Sequence, residues 1–273
     1  MSETVTVRVQ KVKKNRIKTR LIFFLILAAA LLLVAIFADK IVPYDPYAQD
    51  LSKSLLPPSA EHWMGTDRYG RDVFSRIMAG AQITLFVGLV AVGISALIGV
   101  PLGILAGMRL GWAETLIMRG MDLMLAFPAL LLAIVAGAAF GASTLTAMIA
   151  IGIAGIPGFA RVARAGTLQV MTQDYIASAR VSRVPGIVIA QRHVLPNIAG
   201  VIIVQASVAF ALAILAEAAL SFLGLGTSPP DPSWGRMLQS AQASLGSAPQ
   251  LALWPGLAIA LTVLGFNLLG DGL

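Results

Sequence analysis

The side chains able to do chemistry in this chain are few. There are two histidines, His62 and His193, and no cysteine among 273 residues. A zinc hydrolase needs paired imidazoles, as in H-E-x-x-H, and an activated serine sits in G-x-S-x-G; neither pattern occurs. The Ser, Asp and His residues are too common and too scattered to define a triad. No Gly-Lys dipeptide occurs, so the Walker phosphate loop is absent, and any ATP chemistry must belong to another chain. The sequence therefore assigns no catalytic residue, no metal ligand and no cofactor to this chain. Two carboxylates are left in apolar surroundings. Asp122 follows Arg119 by three residues, and Glu217 lies within AILAEAALSFLG. Ionisable groups at such places are costly and face a bundle interior or a cavity. Asp122 reads first as a structural pair with Arg119 and second as a transport group. For Glu217, with no partner nearby in sequence, a structural and a pathway role stand level.

The elements that hold these groups are membrane spans. Hydrophobic residues make up 58% of the chain and charged ones 12%, against about 25% charge in a soluble domain, and the mean hydropathy is +0.84. A spanning helix needs about 20 apolar residues, and six such segments are expected, near 21–39, 82–108, 115–140, 142–162, 198–220 and 250–270. Outer-membrane strand alternation is absent, so the fold class is all-α and polytopic. The first segment is longer than the apolar core of a secretory signal and reads as an uncleaved span. Seven of the twenty Lys and Arg precede it, from Arg8 to Arg20. That placement marks the cytoplasmic side rather than nucleic-acid binding. With both termini inside, the inner segments 1–20, 108–119 and 161–196 hold 14 of the 20 basic residues.

Within the spans, small residues such as those of GLVAVGISALIGVPLGILAG let helices approach closely. Pro101, Pro128 and Pro157 are expected to kink their helices or free a carbonyl. In the outer loop, Asp67 or Asp72 caps a short amphipathic helix that places Val73, Phe74 and Ile77 on one face, either on the membrane or against a partner. The segment from Ser221 carries too many glycines and prolines for a long helix before Trp234. Trp63, Trp234 and Trp254 suit an interfacial aromatic belt.

One polar segment, DYIASARVSRVPGIVIAQRHVLPN from Asp174 to Asn197, interrupts the apolar pattern. Asp174 is placed to cap a helix from Tyr175 to Ser182, Pro185-Gly186 breaks the chain, and a second helix runs from Ile187 to Leu195. Each helix has an apolar side, Ile176 and Ala179 on one, Ile187 and Val194 on the other. Such a knob fits a groove on a partner.

With these segments in place the chain resembles the permease subunits of binding-protein-dependent ABC importers, specifically the second permease of the dipeptide, oligopeptide and nickel group. HWMGTDRYGRDVFSRIMAGAQITL is similar to that family's outer-loop signature, MRGMDLMLAFPALLLA to its third span, and GIPGFARVARAGTLQV to the end of its fourth. SFLGLG, PSWGRML and WPGLAIALTVLGFNLLGDGL resemble its C-terminal signatures. The polar segment aligns with the family's coupling loop, E-A-A, three residues, Gly, nine residues, then hydrophobic-Leu-Pro. Here Ala177 replaces the Glu, Ser178 the first Ala, and Arg183 the Gly. A left-handed backbone at Arg183 costs about 1 kcal/mol relative to glycine unless Gly186 takes over the turn.

The resemblance implies a type I ABC importer-like fold in a bacterial inner membrane. It implies a basic tail (1–20), a first span with outer loop (21–81) and a permease core (82–273) with the coupling loop at 174–197. It implies a homologous second permease, two ATPase subunits carrying ATP and Mg, and an extracytoplasmic solute-binding protein, with peptides or a solute such as nickel as cargo. Coupling to the ATPases falls to Asp174, Tyr175, Ala179, Arg180, Gly186, His193, Leu195 and Pro196. The rival expectation is an ATP-independent secondary transporter or channel working through Asp122 and Glu217.

Overall fold

A computed structural model describes residues 29, 33–38 and 40–272. The basic tail and most of the first expected span lie outside the described residues. Those described are helical and without strands. The long elements are α1 (Val73–Met108), α2 (Trp112–Leu125), α3 (Ala129–Phe140), α4 (Thr144–Met171), α5 (Asp174–Val181), α6 (Gly186–Ile189), α7 (Leu195–Phe222), α8 (Trp234–Ala241) and α9 (Gln250–Gly272). Among the described residues four stretches are long and apolar enough to cross a membrane: α1, α4, Gly186–Phe222, and Gln250–Gly270 within α9. The α2 and α3 pair qualifies as a fifth, bent by 78°.

The bend corrects the expectation of one continuous third span. Pro128 disfavours helical backbone in the residue before it and supplies no N–H, so the helix stops at Leu125 and restarts at Ala129. Pro101 and Pro157, by contrast, lie inside uninterrupted helices. The expected separate amphipathic helix is also corrected. Residues 73 to 108 form a single helix because no breaker separates Ile77 from the span.

Asp72, not Asp67, caps α1, accepting from Ser75 N at 2.8 Å and Ser75 Oγ at 2.7 Å. Its other oxygen lies 2.9 Å from His62 Nδ1, so one buried carboxylate both starts the helix and anchors the outer loop. Asp67 organises that loop instead, accepting from the backbone of Tyr69 and Arg71 and from Arg71 Nε at 2.7 Å. Gly70 closes the turn at φ +74°, where a Cβ would overlap the carbonyl of Asp50.

The core of the bundle is the parallel contact of α1 with α4. Gly99, Gly103 and Gly107 form a stripe at helical spacing along α1, facing Phe159, Ala160, Ala163 and Thr167 of α4. A Cβ at Gly103 would lie 2.3 Å from the Ala160 carbonyl oxygen. The backbones meet because no side chains intervene, and without a hydrophobic drive in lipid this dispersion contact holds the helices together. From the far side, Gly152 and Gly155 of α4 receive Ile94 and Ser95, and Ser95 Oγ donates to the Gly152 carbonyl at 2.7 Å.

At the end of the bundle away from the 174–197 loop, the segment after α7 folds back onto the bundle. Trp234 is buried, not interfacial as expected, and donates from Nε1 to the Ile77 carbonyl at 3.0 Å. Trp63 remains exposed.

Gly103→Ala is expected to destabilise the purified protein by about 1–3 kcal/mol through overpacking. Gly93→Ala, with nothing within 4 Å of the added methyl, is expected to stabilise it by roughly 0.5–1 kcal/mol. Thermal unfolding in detergent measures both, and equal behaviour would contradict the seam.

Candidate coupling site

The polar segment is a two-helix loop fastened to the ends of α4 and α7. Gln173, not Asp174, is the N-cap of α5, and Asp174 is the first helical residue, where its charge still complements the helix dipole. At the other end of α5, Val184 N bonds the Ala179 carbonyl and Arg183 N the Arg180 carbonyl, both at 3.0 Å. That pair of bonds is a Schellman closure. It places Arg183 at φ +53°, the left-handed position that glycine normally fills. Gly186 therefore does not take over the turn; it opens α6 behind Pro185.

The second helix of the loop is not separate either. After α6 the chain makes one π turn, Ala190–Val194, in which Leu195 N bonds the Ala190 carbonyl five residues back, and continues as α7. Pro196 is the cause. It offers no N–H to the Arg192 carbonyl and its ring crowds that group, so the turn widens. Asn197 Nδ2 donates to the neighbouring His193 carbonyl at 2.6 Å.

The apolar residues expected on the docking surface are divided. Ile176, Ile189 and Val194 are buried against Val100 and Ile104 of α1 and Phe159, Ala163 and Val170 of α4, with Ala179 packed alongside. They attach the loop to the bundle. Outward face Tyr175 (43% exposed), Val181 (85%) and Ile187 (65%), together with Asp174, Arg180, Arg183, Gly186, Arg192, Leu195 and Pro196. The Tyr175 and His193 rings lie 5.9 Å apart and link the two helices. The exposed surface is thus basic and patched with apolar side chains, on a base that is packed like a core.

The two intramembrane carboxylates have partners that sequence spacing did not supply. Asp122 pairs with Arg161 of α4 at 2.6 Å, not with Arg119. Glu114 pairs with Arg164, whose Nε lies 2.8 Å away. Two acids on α2 are thus matched by two bases on α4, a pairing that was not read from the sequence. Glu217 is fully buried. Ser221 Oγ donates to it at 2.6 Å, with Thr227 Oγ1 at 3.4 Å and Thr84 Oγ1 at 3.5 Å. Thr84 also accepts from Trp234 N at 3.4 Å. The carboxyl group is the knot that joins α1, α7 and the segment that returns after α7. Among the described residues no group of three or more His, Cys, Asp or Glu is placed to hold a metal ion.

A bundle of these spans with a two-helix loop at one end defines a polytopic helical membrane fold. Its fold is similar to that of a solved structure titled as inward-facing conformations of the MetNI methionine ABC transporter, with a TM-score of 0.60 and 16% identity over 72% of this chain and 94% of that one. The chain belongs to the family described as binding-protein-dependent transport system inner membrane component, whose model matches residues 99–273. Residues 14–58 match the N-terminal TM domain of oligopeptide transport permease C. The dipeptide transport system permease protein DppC of Alkalihalophilus pseudofirmus is 43% identical over 97% of this chain and 86% of that protein. The glutathione transport system permease protein GsiD of Pectobacterium atrosepticum is 44% identical over 89% of this chain and 81% of its own length, and GsiD of Escherichia coli 46% over 89% and 80%. The chain is a permease subunit of a binding-protein-dependent ABC importer.

Arg183→Gly is expected to relieve the left-handed strain by about 1 kcal/mol, slowing amide exchange at Val184 about fivefold if that amide opens locally. Unchanged or faster exchange would contradict the strain at this position.

Proposed function

We propose that the chain forms half of an ATP-driven import pathway for short peptides, completed by a homologous second permease. In this reading two ATPase subunits bind on the cytoplasmic side of the permease pair, where the α5–α6 loop of this chain docks and both termini lie, and a solute-binding protein meets the opposite end. Peptide cargo is supported by the dipeptide and glutathione assignments of the relatives; nothing among the described residues favours nickel. The proposed division is a basic tail (1–20), a first span and outer loop (21–81), and a permease core (82–273).

The observation that carries the coupling role is the burial of Ile176, Ile189 and Val194 among α1 and α4 side chains. A loop that only met solvent needs no such base. A partner that binds it can move the spans only if it binds one arrangement of them more tightly than the other, and a rigid base prevents the loop from yielding alone. Tyr175, Arg180 and Leu195 provide contact, and Ala179, Gly186, His193 and Pro196 shape the loop, with Asp174 at the helix start. Asp122 and Glu217 act structurally, through the ion pair to α4 and the hydroxyl knot.

Val181→Asp places a charge on the most exposed apolar side chain of α5. It is expected to lower substrate-stimulated ATP hydrolysis of the reconstituted importer by tenfold or so, as for a loss of about 1.4 kcal/mol in docking, with membrane insertion unchanged. Full hydrolysis with normal subunit binding would overturn the docking role.

A further inference from the structure

A cleft of about 230 Å3 opens at the end of the bundle away from the coupling loop, where the segment leading into α1 meets the segment that returns after α7. Four arginines line it, Arg68, Arg71, Arg76 and Arg236, with a single carboxylate, Asp231. Two of them are brought together by Asp67, whose Oδ2 lies 2.7 Å from Arg71 and 3.9 Å from Arg76. Both are buried, Arg71 with 7% and Arg76 with 4% of its surface exposed. Arg68 lies 4.7 Å and Arg71 4.8 Å from the centre of the Tyr69 ring. Asp67 is thus one acid shared by two buried cations, and among the described residues Arg68 and Arg236 form no ion pair. Asp231 lies near enough to Arg76 to attract its charge, and its Oδ1 accepts from the Tyr47 hydroxyl at 3.2 Å.

We propose that this cleft binds a short peptide by its two ends, the α-carboxylate on Arg71 and Arg76 and the α-ammonium on Asp231. Guanidinium groups match carboxylate oxygens in pairs, and groups held in a buried, low-dielectric place bind charge more strongly than groups in water. Counting Asp67, the cleft sets four positive charges against two negative ones, so it favours an anionic group, and Asp231 gives it a second pole for a cation. The volume falls below the roughly 300–1,000 Å3 of sites for drug-sized ligands, and a dipeptide spans about 7 Å when extended, so the ligand is small. Every peptide carries both terminal groups whatever its side chains. A site that reads the termini accepts short peptides without regard to sequence and excludes those whose ends are blocked. The proposal rests on the peptide-import reading for its choice of ligand and for placing this end of the bundle where cargo is delivered.

The test uses the importer purified with its second permease and ATPase subunits and placed in nanodiscs, without the solute-binding protein, so that peptide meets this chain directly. The probes are a dipeptide of diazirine-bearing leucine and alanine, its C-terminal amide and its N-acetyl form. Labelled fragments are mapped by mass spectrometry. The free dipeptide should label the fragments bearing residues 67–76 and 229–240 at least about tenfold more than the amide, as for the loss of a hydrogen bond to a charged group. Arg236→Gln, which leaves the buried pair intact, should reduce that preference about threefold. Asp231→Asn should weaken labelling by the free dipeptide and leave labelling by the acetylated form unchanged, a difference that a merely misfolded variant does not give. Equal labelling by the dipeptide and its amide would overturn the proposal, and so would an unlabelled cleft. Import by the complete reconstituted importer separates the two readings. If no peptide is imported and the cleft labels as expected, the import reading falls and the site stands; if peptide is imported and the cleft stays unlabelled, the site falls alone.

Discussion

Everything in this bundle depends on how closely α1 and α4 approach. The seam is made by removing side chains at three helical positions, Gly99, Gly103 and Gly107, so that α4 lies against the α1 backbone. In water such glycines would weaken a helix. In lipid, packed backbones and the dispersion they gain are among the few forces that bring helices together. Because both helices run toward the coupling loop, the seam fixes the platform of Val100, Ile104, Phe159 and Ala163 on which Ile176, Ile189 and Val194 rest. The loop's rigidity is inherited from the seam.

Polar groups then lock what the seam positions. Toward the loop, Asp122 to Arg161 and Glu114 to Arg164 tie the broken α2 and α3 span to α4. At the opposite end Glu217 gathers hydroxyls from α1, α7 and the segment that follows it, and Asp72 joins the cap of α1 to His62. Removing any one of these groups leaves its hydrogen-bonding partners unpaired. The bundle is thus fastened at both ends, with a sharply bent span, at Pro128, between them.

The spans, the small-residue packing and the polar loop were legible in the sequence because hydropathy, spacing and charge are local signals. What was missed is three-dimensional. Asp122 has Arg119 one helical turn away, and only the fold reveals that Arg161, 39 residues on, is the partner. Glu217 had no visible partner because Thr84 lies 133 residues earlier in the chain. The loop's apolar residues suggested docking, whereas Ile176 and Val194 turn inward; period alone cannot tell which side of a short helix faces its own protein. The left-handed Arg183 was readable from its alignment with a glycine, and the π turn before Pro196 was not, since proline announces a break without saying how the backbone absorbs it.

The account holds that the coupling loop and the α1–α4 seam move as one body. The absence of native cysteine allows a clean pair of spin labels, one at Val181→Cys on the loop and one at Leu145→Cys at the far end of α4. Distances between them, compared by pulsed electron resonance in the nucleotide-free and ATP-trapped importer, should stay the same while distances from Val181→Cys to the second permease change. A shift within the first pair, with the second unchanged, would show that the loop bends on its own and would contradict the account.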